Sequence, residues 1–383
     1  MTTGSGQITT YDNTVPQKRM VTDRIIMADP YDITTMLSLG LDNMSKFKFV
    51  NPPHRTYEWL EDAYPAVSCA AAGTNLTVTT NTTTITVSAA NFKLFHVGDI
   101  IDIGGDATPD LAYVASLATP VLTVVRGFGG GTSVSHPETS TLYIRYNARL
   151  EGSSNSDSPW TEVSSTTNCS TIFHKSVNVT RDDALFPTYG MANLKEYRID
   201  QNMDILMEQL NRLPYYGVRA AGSSTTARSS GGFHVFVTTN ATSAGSAALT
   251  RDMIDTEFLQ IFAAGGKTDL ILCDAWGQKK INDFYEGFVT TERAENIGGI
   301  MIKQLMHPVT GALVQVVVDR HCRAGYMYLL DRRYVGYITI DPFFYEDLAK
   351  TGDFETGETV GEYGFVLSYN KAHSIISAYS TTS

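Results

Sequence analysis

Residues 348–377, LAKTGDFETGETVGEYGFVLSYNKAHSIIS, constrain the fold more tightly than any other stretch of the chain. Thr351-Gly352-Asp353 and Glu355-Thr356-Gly357 read as turn chemistry, with glycines where positive φ is favoured. Beyond them Tyr363, Phe365, Leu367 and Tyr369 fall on one face, and Gly364, Val366, Ser368 and Asn370 on the other. That period of two predicts a long, half-buried strand. Residues 334–348, aromatic and β-branched, supply its antiparallel partner. Two such strands are marginal alone and need a helix or a neighbouring chain to cover them.

The 383 residues suffice for two or three core-forming units. Charged residues are 18% of the chain against 43% hydrophobic, which suits extensive β structure and large buried or subunit-facing surfaces. A net charge of −11 argues against a surface broadly designed for nucleic acid. Cys69, Cys169, Cys273 and Cys322 lie far apart with no CxxC pair, so reduced, scattered thiols are expected rather than a zinc site. The N-terminus lacks a charged-then-apolar signal pattern, and no apolar run approaches about 18 residues, so neither the usual secretion route nor a membrane span is expected.

Residues 1–53 carry short apolar pieces (Ile25-Ile26-Met27, Met36-Leu37-Ser38-Leu39) without a compact pattern. Ordering such an arm costs roughly 1–2 kcal/mol per residue, offset only by docking on its own or a neighbouring subunit. Residues 55–60 alternate as a strand whose expected return partner is 170–180, with Phe173, Lys175, Val177 and Val179 on one side. Between them, residues 66–148 form a series of short strands (LTVTT, TTITVSA, DIIDIG, AYVAS, VLTVVRG, STLYIRYNA) whose spacing predicts a small β-barrel or sandwich.

The clearest helix spans 189–213, where Ile199, Met203, Leu206, Leu210 and Leu213 form one stripe and Pro214 is expected to stop it. A second helix is predicted over 251–264, capped by Thr250 and ended at Gly265-Gly266. An α/β unit follows: a strand at 269–273, a helix at 276–285, and strands at 314–318 and 326–330. No period of 20–50 residues signals a repeat architecture.

Several separated motifs resemble one family in one order. They are the AKTGD turn, VGEY strand start and NKAHSII run near the C-terminus; Phe95-His96-Val97-Gly98-Asp99-Ile100; residues 122–130 and 142–148; Gly217-Val218-Arg219-Ala220-Ala221 with 227–232; and residues 263–269. Together the chain resembles tailed-bacteriophage major capsid proteins with the Hong Kong 97-like fold, in a branch with a β-rich insertion in the extended loop. The resemblance implies an α+β chain. Its parts would be an N-terminal arm (1–53), an extended loop (54–182) carrying a barrel-like insertion at about 66–148, and a peripheral domain (183–265) with spine helix 189–213. An axial domain (266–333), a peripheral β-hairpin (334–370) and a return to the axial domain (371–383) would follow.

It further implies a virion protein, assembled in the bacterial host cytoplasm, that self-associates into pentamers and hexamers enclosing double-stranded DNA without sequence-specific binding. An acidic wall, which repels a packaged polyanion, is compatible with that task. Implied partners are copies of the chain, a portal protein, a scaffolding protein and a decoration protein, with no membrane. No long extension precedes Met1, so scaffolding is expected from a separate protein or not at all. The insertion is expected to serve as an outward decoration or a brace between capsomers.

Chemistry-bearing motifs give no catalytic, cofactor or metal residues. Gly127-Phe128-Gly129-Gly130-Gly131-Thr132 follows a strand, but Ser133-Val134-Ser135-His136-Pro137 comes next instead of a helix, so it reads as a turn rather than a phosphate loop. Asp99, Asp102 and Asp106 lack the spacing and terminal glutamate of an EF-hand and are expected in a solvated barrel loop. His321-Cys322 beside Asp319 are neighbours on a supposed strand and so point apart, poorly placed to activate a thiol. Lys175 has no identifiable cross-linking partner. An enzyme is not expected. Two other classes stay open at this point, a phage tail or baseplate protein and a β-rich carbohydrate-binding protein. The former should lack the long helix, and the latter should pair carboxylates with exposed aromatics.

Overall fold

A computed structural model describes residues 32–40, 54–62, 66–72, 83–105, 110–137, 140–149, 151–152, 163–185, 193–285, 289–290, 303–306, 311, 313–350 and 352–382. The chain divides into two compact units. One is Met1–Trp59 with Thr166–Ser383, and the other is Leu60–Ser165. The expected strand LTVTT, residue Asp106, Ile25-Ile26-Met27 and residues 189–192 lie outside the described residues.

The larger unit is built on a seven-stranded sheet. Its strands run in the order Ala241–Ser243, Ser374–Ser377, Met327–Leu330, Leu270–Cys273, Leu313–Val318, Lys303–Met306, Val289–Thr290. The central strand Leu270–Cys273 lies parallel to Leu313–Val318 and antiparallel to Met327–Leu330. All four of its residues are buried, as a strand covered on both faces requires. Leu270 and Leu272 enter one hydrophobic cluster with Tyr328 and Leu330, whereas Ile271 and Cys273 enter another with Met327 and Leu329. Period-two alternation thus feeds two cores with apolar residues at every position.

The second cluster is closed by two helices. Arg251–Ala263 is capped by Thr250, whose side chain accepts from Met253 N, and it contributes Ile254, Phe258 and Ile261. Ala275–Phe284 is capped by Asp274, which accepts from Gly277 N, and it contributes Ile281. Strand Ala241–Ser243 pairs in this sheet, and helix Arg251–Ala263 covers it through the same cluster.

The spine helix runs Leu194–Tyr216, with Asn193 accepting from the amides of Lys195 and Glu196. Leu206, Leu210 and Leu213 are buried, while Ile199 and Met203 are half-buried. Pro214 does not stop the helix, which continues to Tyr216 and ends at Gly217, whose N–H donates to Leu213 O at 2.8 Å. Leu213, Pro214 and Tyr215 are all buried, and that packing outweighs the local bias against helix before a proline. The described part of the arm, Thr34–Leu39, is a helix with Met36 and Leu39 inside the first cluster.

A three-stranded sheet covers one side of the spine helix, in the order Val335–Asp347, Phe354–Leu367, Thr171–Thr180, all antiparallel. Three sequence readings change here. Residues 170–180 do not return along 55–60, apart from the Ser170 N–H that donates to Arg55 O at 2.9 Å. Their partner is Phe354–Tyr363, and the two-stranded ribbon is instead Thr56–Glu61 with Ser164–Cys169. Glu355-Thr356-Gly357 is strand rather than turn. Gly357 pairs with Asp347 and Val177, and a Cβ there would collide with the Tyr345 ring. Last, residues 363–367 are buried on both faces, and Tyr369 leaves the strand with φ of 54°.

The smaller unit is a six-stranded sheet in the order Ser68–Ala70, Thr141–Asn147, Asp99–Ile103, Leu111–Ala118, Val121–Arg126, Thr84–Thr86. A bridge between Ala71 and Val87, with Ala72 N donating to Thr86 O at 2.9 Å, joins the first strand to the last and closes a barrel. Closure removes the free edges, and inward residues such as Ile85, Ile101, Val114, Val124 and Leu142 fill the interior.

Candidate functional site

The ribbon Thr56–Glu61 with Ser164–Cys169 flanks the barrel segment in sequence, and its root is fastened by polar side chains. Tyr57 and Trp59 point into the first core, where Trp59 meets Phe236 edge-on at 5.4 Å. The Tyr57 hydroxyl donates to Phe365 O at 2.9 Å, and burial pushes its pKa well above the ordinary value. Gly364 lies directly beneath that ring, where any Cβ would strike it. Asn168, fully buried, donates to Phe365 O at 2.7 Å and to Ser230 Oγ at 3.0 Å, and accepts from Gly231 N at 2.9 Å. Three segments distant in sequence are therefore held at one point. Next to it Arg228 pairs with Glu362 at 2.6 Å, and Glu362 also accepts from Ser170 Oγ.

A second polar node holds the arm. The carboxylate of buried Asp319 accepts from Thr35 Oγ1, from Asn211 Nδ2 at 2.8 Å and from His321 N at 2.7 Å. Asn211 Oδ1 in turn accepts from Met36 N at 2.8 Å. Arm helix, spine helix and the turn after Leu313–Val318 thus share one hydrogen-bonded centre. Neither Asn168 nor Asp319 belongs to a chemistry-bearing motif of its own; burial marks them. Asp319 entered only as a neighbour of His321.

Residues 127–130 form a tight turn with Gly127 at φ of 68°, and Phe128 stacks on Tyr113 at 5.8 Å. Asp99 and Asp102 are not in a solvated loop. They are buried on a barrel strand because each has a partner, Asn147 at 2.7 Å for Asp99 and Arg145 at 2.5 Å for Asp102. A further buried carboxylate, Asp110, accepts from Arg126 and from Val134 N at 3.0 Å, with His136 Nε2 at 3.5 Å. His321 and Cys322 stand in a turn, not on a strand. His321 Nε2 meets Glu208 at 2.8 Å, while the Cys322 thiol faces Tyr326 O at 3.6 Å and burial pushes its pKa far up. Lys175 is half-buried opposite Thr359. Among the described residues no three His, Cys, Asp or Glu side chains gather as metal ligands, and no helix is long and apolar enough to cross a membrane.

What this arrangement offers is anchorage rather than chemistry. A rooted ribbon, a docked arm and a double-cored sheet are the parts of a building block. The model of the SU10 major capsid protein family matches residues 3–380. The chain belongs to that family. It is a tailed-phage major capsid protein, an α+β chain with the Hong Kong 97-like fold that forms the head shell, and it is a component of the virion.

Solved capsids share this capsid-protein fold at low identity. The cyanophage A-1(L) capsid asymmetric unit is 12% identical with a TM-score of 0.54, covering 97% of this chain and 99% of the other. The capsid of a native GTA particle is 7% identical at 0.53, covering 98% and 100%. The capsid of Myoviridae phage XM1 is 8% identical at 0.51, covering 98% and 99%. No curated protein sequence matches. With a capsid family matched over nearly the whole chain, the tail, baseplate and carbohydrate-binding alternatives are set aside.

Proposed function

We propose that this capsid protein assembles first into pentamers and hexamers and then into a closed icosahedral head around double-stranded DNA, in the host cytoplasm. The reading rests on one observation, the fastening of the ribbon root by Tyr57, Asn168 and Gly364. A two-stranded ribbon is marginal in water, and a rigid root lets it project as an arm toward neighbours. In this reading the ribbon and barrel are the extended loop, residues 1–53 the N-terminal arm, the spine helix and three-stranded sheet the peripheral domain, and the seven-stranded sheet the axial domain. Helix Arg251–Ala263 and strand Ala241–Ser243 then belong to the axial part. A contact whose rotation closes gives a ring, and small changes of angle admit rings of both sizes. Portal, scaffolding and decoration proteins are the remaining partners, and the shell needs no catalytic step of its own.

Electron microscopy of the chain expressed alone and with its scaffold tests this. Closed shells built of five-membered capsomers at the vertices and six-membered ones between them are the expected result. Open tubes or a permanently monomeric protein would overturn it.

A further inference from the structure

Two exposed apolar pairs sit on opposite flanks of the seven-stranded sheet. Leu259 and Phe262 are 48% and 65% exposed on the outer face of helix Arg251–Ala263, whose inner face is buried through Ile254, Phe258 and Ile261. From Thr256 onward the exposed positions of that helix are Thr256, Leu259, Gln260, Phe262 and Ala263, none of them charged. The helix does carry charge, but Arg251, Asp252 and Asp255 lie in its first turns, and Glu257 is buried against Ser374 Oγ at 2.5 Å. A surface helix facing water ordinarily spreads its charges over the outer face. Here the last two turns can be covered without stripping water from an ion.

Met306 and Leu313 are 48% and 58% exposed and are register partners on neighbouring strands. The next pair along, Leu305 with Val314, is buried in the cluster under helix Arg251–Ala263. Strand alternation therefore turns Met306 and Leu313 to the opposite face from that helix. The lateral offset is as clear. The helix lies along Ser374–Ser377, second in the sheet, whereas Met306 and Leu313 stand on the sixth and fifth strands. A two-fold contact would set each pair on its own duplicate, whereas a ring rotation sets one pair on the other. Each can meet the other on a second copy.

We propose that Leu259 and Phe262 of one copy pack against Met306 and Leu313 of the next, a head-to-tail contact that closes the capsomer ring. The inference rests on the shell reading and assigns the contact surface within it. Because the contact is heterologous, every copy donates one pair and receives the other, and closure leaves neither exposed. The occupant is a second copy of this chain, since a shell subunit must bury lateral surface on its neighbours and these two surfaces are both apolar and disposed head to tail.

The test uses assembled particles. All four native cysteines are buried, so an introduced pair is the reactive one. Phe262→Cys combined with Leu313→Cys, and separately with Met306→Cys, is oxidised in shells and run on denaturing, non-reducing gels. The double variants are expected to give a ladder ending at five and six copies, and each single variant to remain monomeric. Dimers from a single variant, or closed shells without a ladder from either double variant, would overturn the contact. A second arm uses Leu259→Lys with Phe262→Lys. At these exposed positions the subunit should keep its circular dichroism spectrum and lose at least tenfold in shell yield. Undiminished shells would sink the proposal. Open tubes from the unaltered chain would remove the shell reading itself, and this contact with it.

Discussion

Burial holds the His373 imidazole down at about 4, from an ordinary 6.5. Its Nδ1 accepts from Asp331 N at 3.3 Å and its Nε2 donates to Ser368 O at 3.1 Å, so the geometry suits the neutral ring. As pH falls below 6.5 the unfolded chain binds a proton that the folded chain refuses until about 4. Stability contributed by the neutral ring is thus complete above 6.5 and lost on the way down to 4, about 3 kcal/mol in all. His234, lowered by burial and then by Arg323, acts with the same sign. The urea midpoint of the subunit should drop between pH 6.5 and 4, and His373→Gln, which can keep both hydrogen bonds, should flatten that drop. Equal slopes in the two proteins would show that His373 does not titrate this way. The NKAHSII run places His373 in a family motif without showing its burial, which is made by residues 331 and 368 closing on it.

At the scale of elements, local periodicity carried far and pairing did not. The stripe from Ile199 to Leu213 and the cap at Thr250 are properties of short windows, and the helices they predict are present. Strand Thr171–Thr180, by contrast, finds its partner at Phe354–Tyr363 across half the chain, a choice made by the packing of Phe173 against Phe343 and Tyr363. Sequence proximity points instead to residues 55–60. Gly357 misleads for a related reason: its glycine answers the Tyr345 ring overhead, not a turn. The ribbon root and the Asp319 node were invisible for want of any local pattern. The node makes a testable claim about the arm helix, which at six residues cannot persist alone. Asp319→Ala leaves Asn211 Nδ2 buried without its acceptor and leaves Thr35 Oγ1 only the Tyr215 hydroxyl, at a cost of about 2–4 kcal/mol. Hydrogen exchange should then accelerate in residues 34–39 well before it does in the seven-stranded sheet. Simultaneous loss of protection in both would mean the arm helix is not held separately by this centre.

The whole molecule joins two units with separate cores. The barrel encloses Ile85, Ile101, Val114, Val124 and Leu142, while both faces of the seven-stranded sheet are filled from residues outside 60–165. Replacing residues 66–148 with a short Gly-Ser turn should therefore leave the larger unit folded, with its own thermal transition within a few degrees of its place in the full chain. The transition belonging to the barrel should vanish. Within the barrel, Asp110 with Arg126 is a buried ion pair, which contributes less to stability than to fixing one arrangement, and buried Asp102 is met by the exposed Arg145. A closed, edge-free barrel with such internal fixtures resists pairing with stray strands, which suits a part displayed on a particle or wedged between its capsomers. If it braces capsomers, shells of the shortened chain should still close, because the proposed ring contact lies elsewhere, but they should rupture at lower temperature. Shells of unchanged yield and heat resistance would exclude the brace and leave the barrel a decoration. Failure to form any ring, with the larger unit shown to be folded, would place an essential subunit contact on the barrel itself.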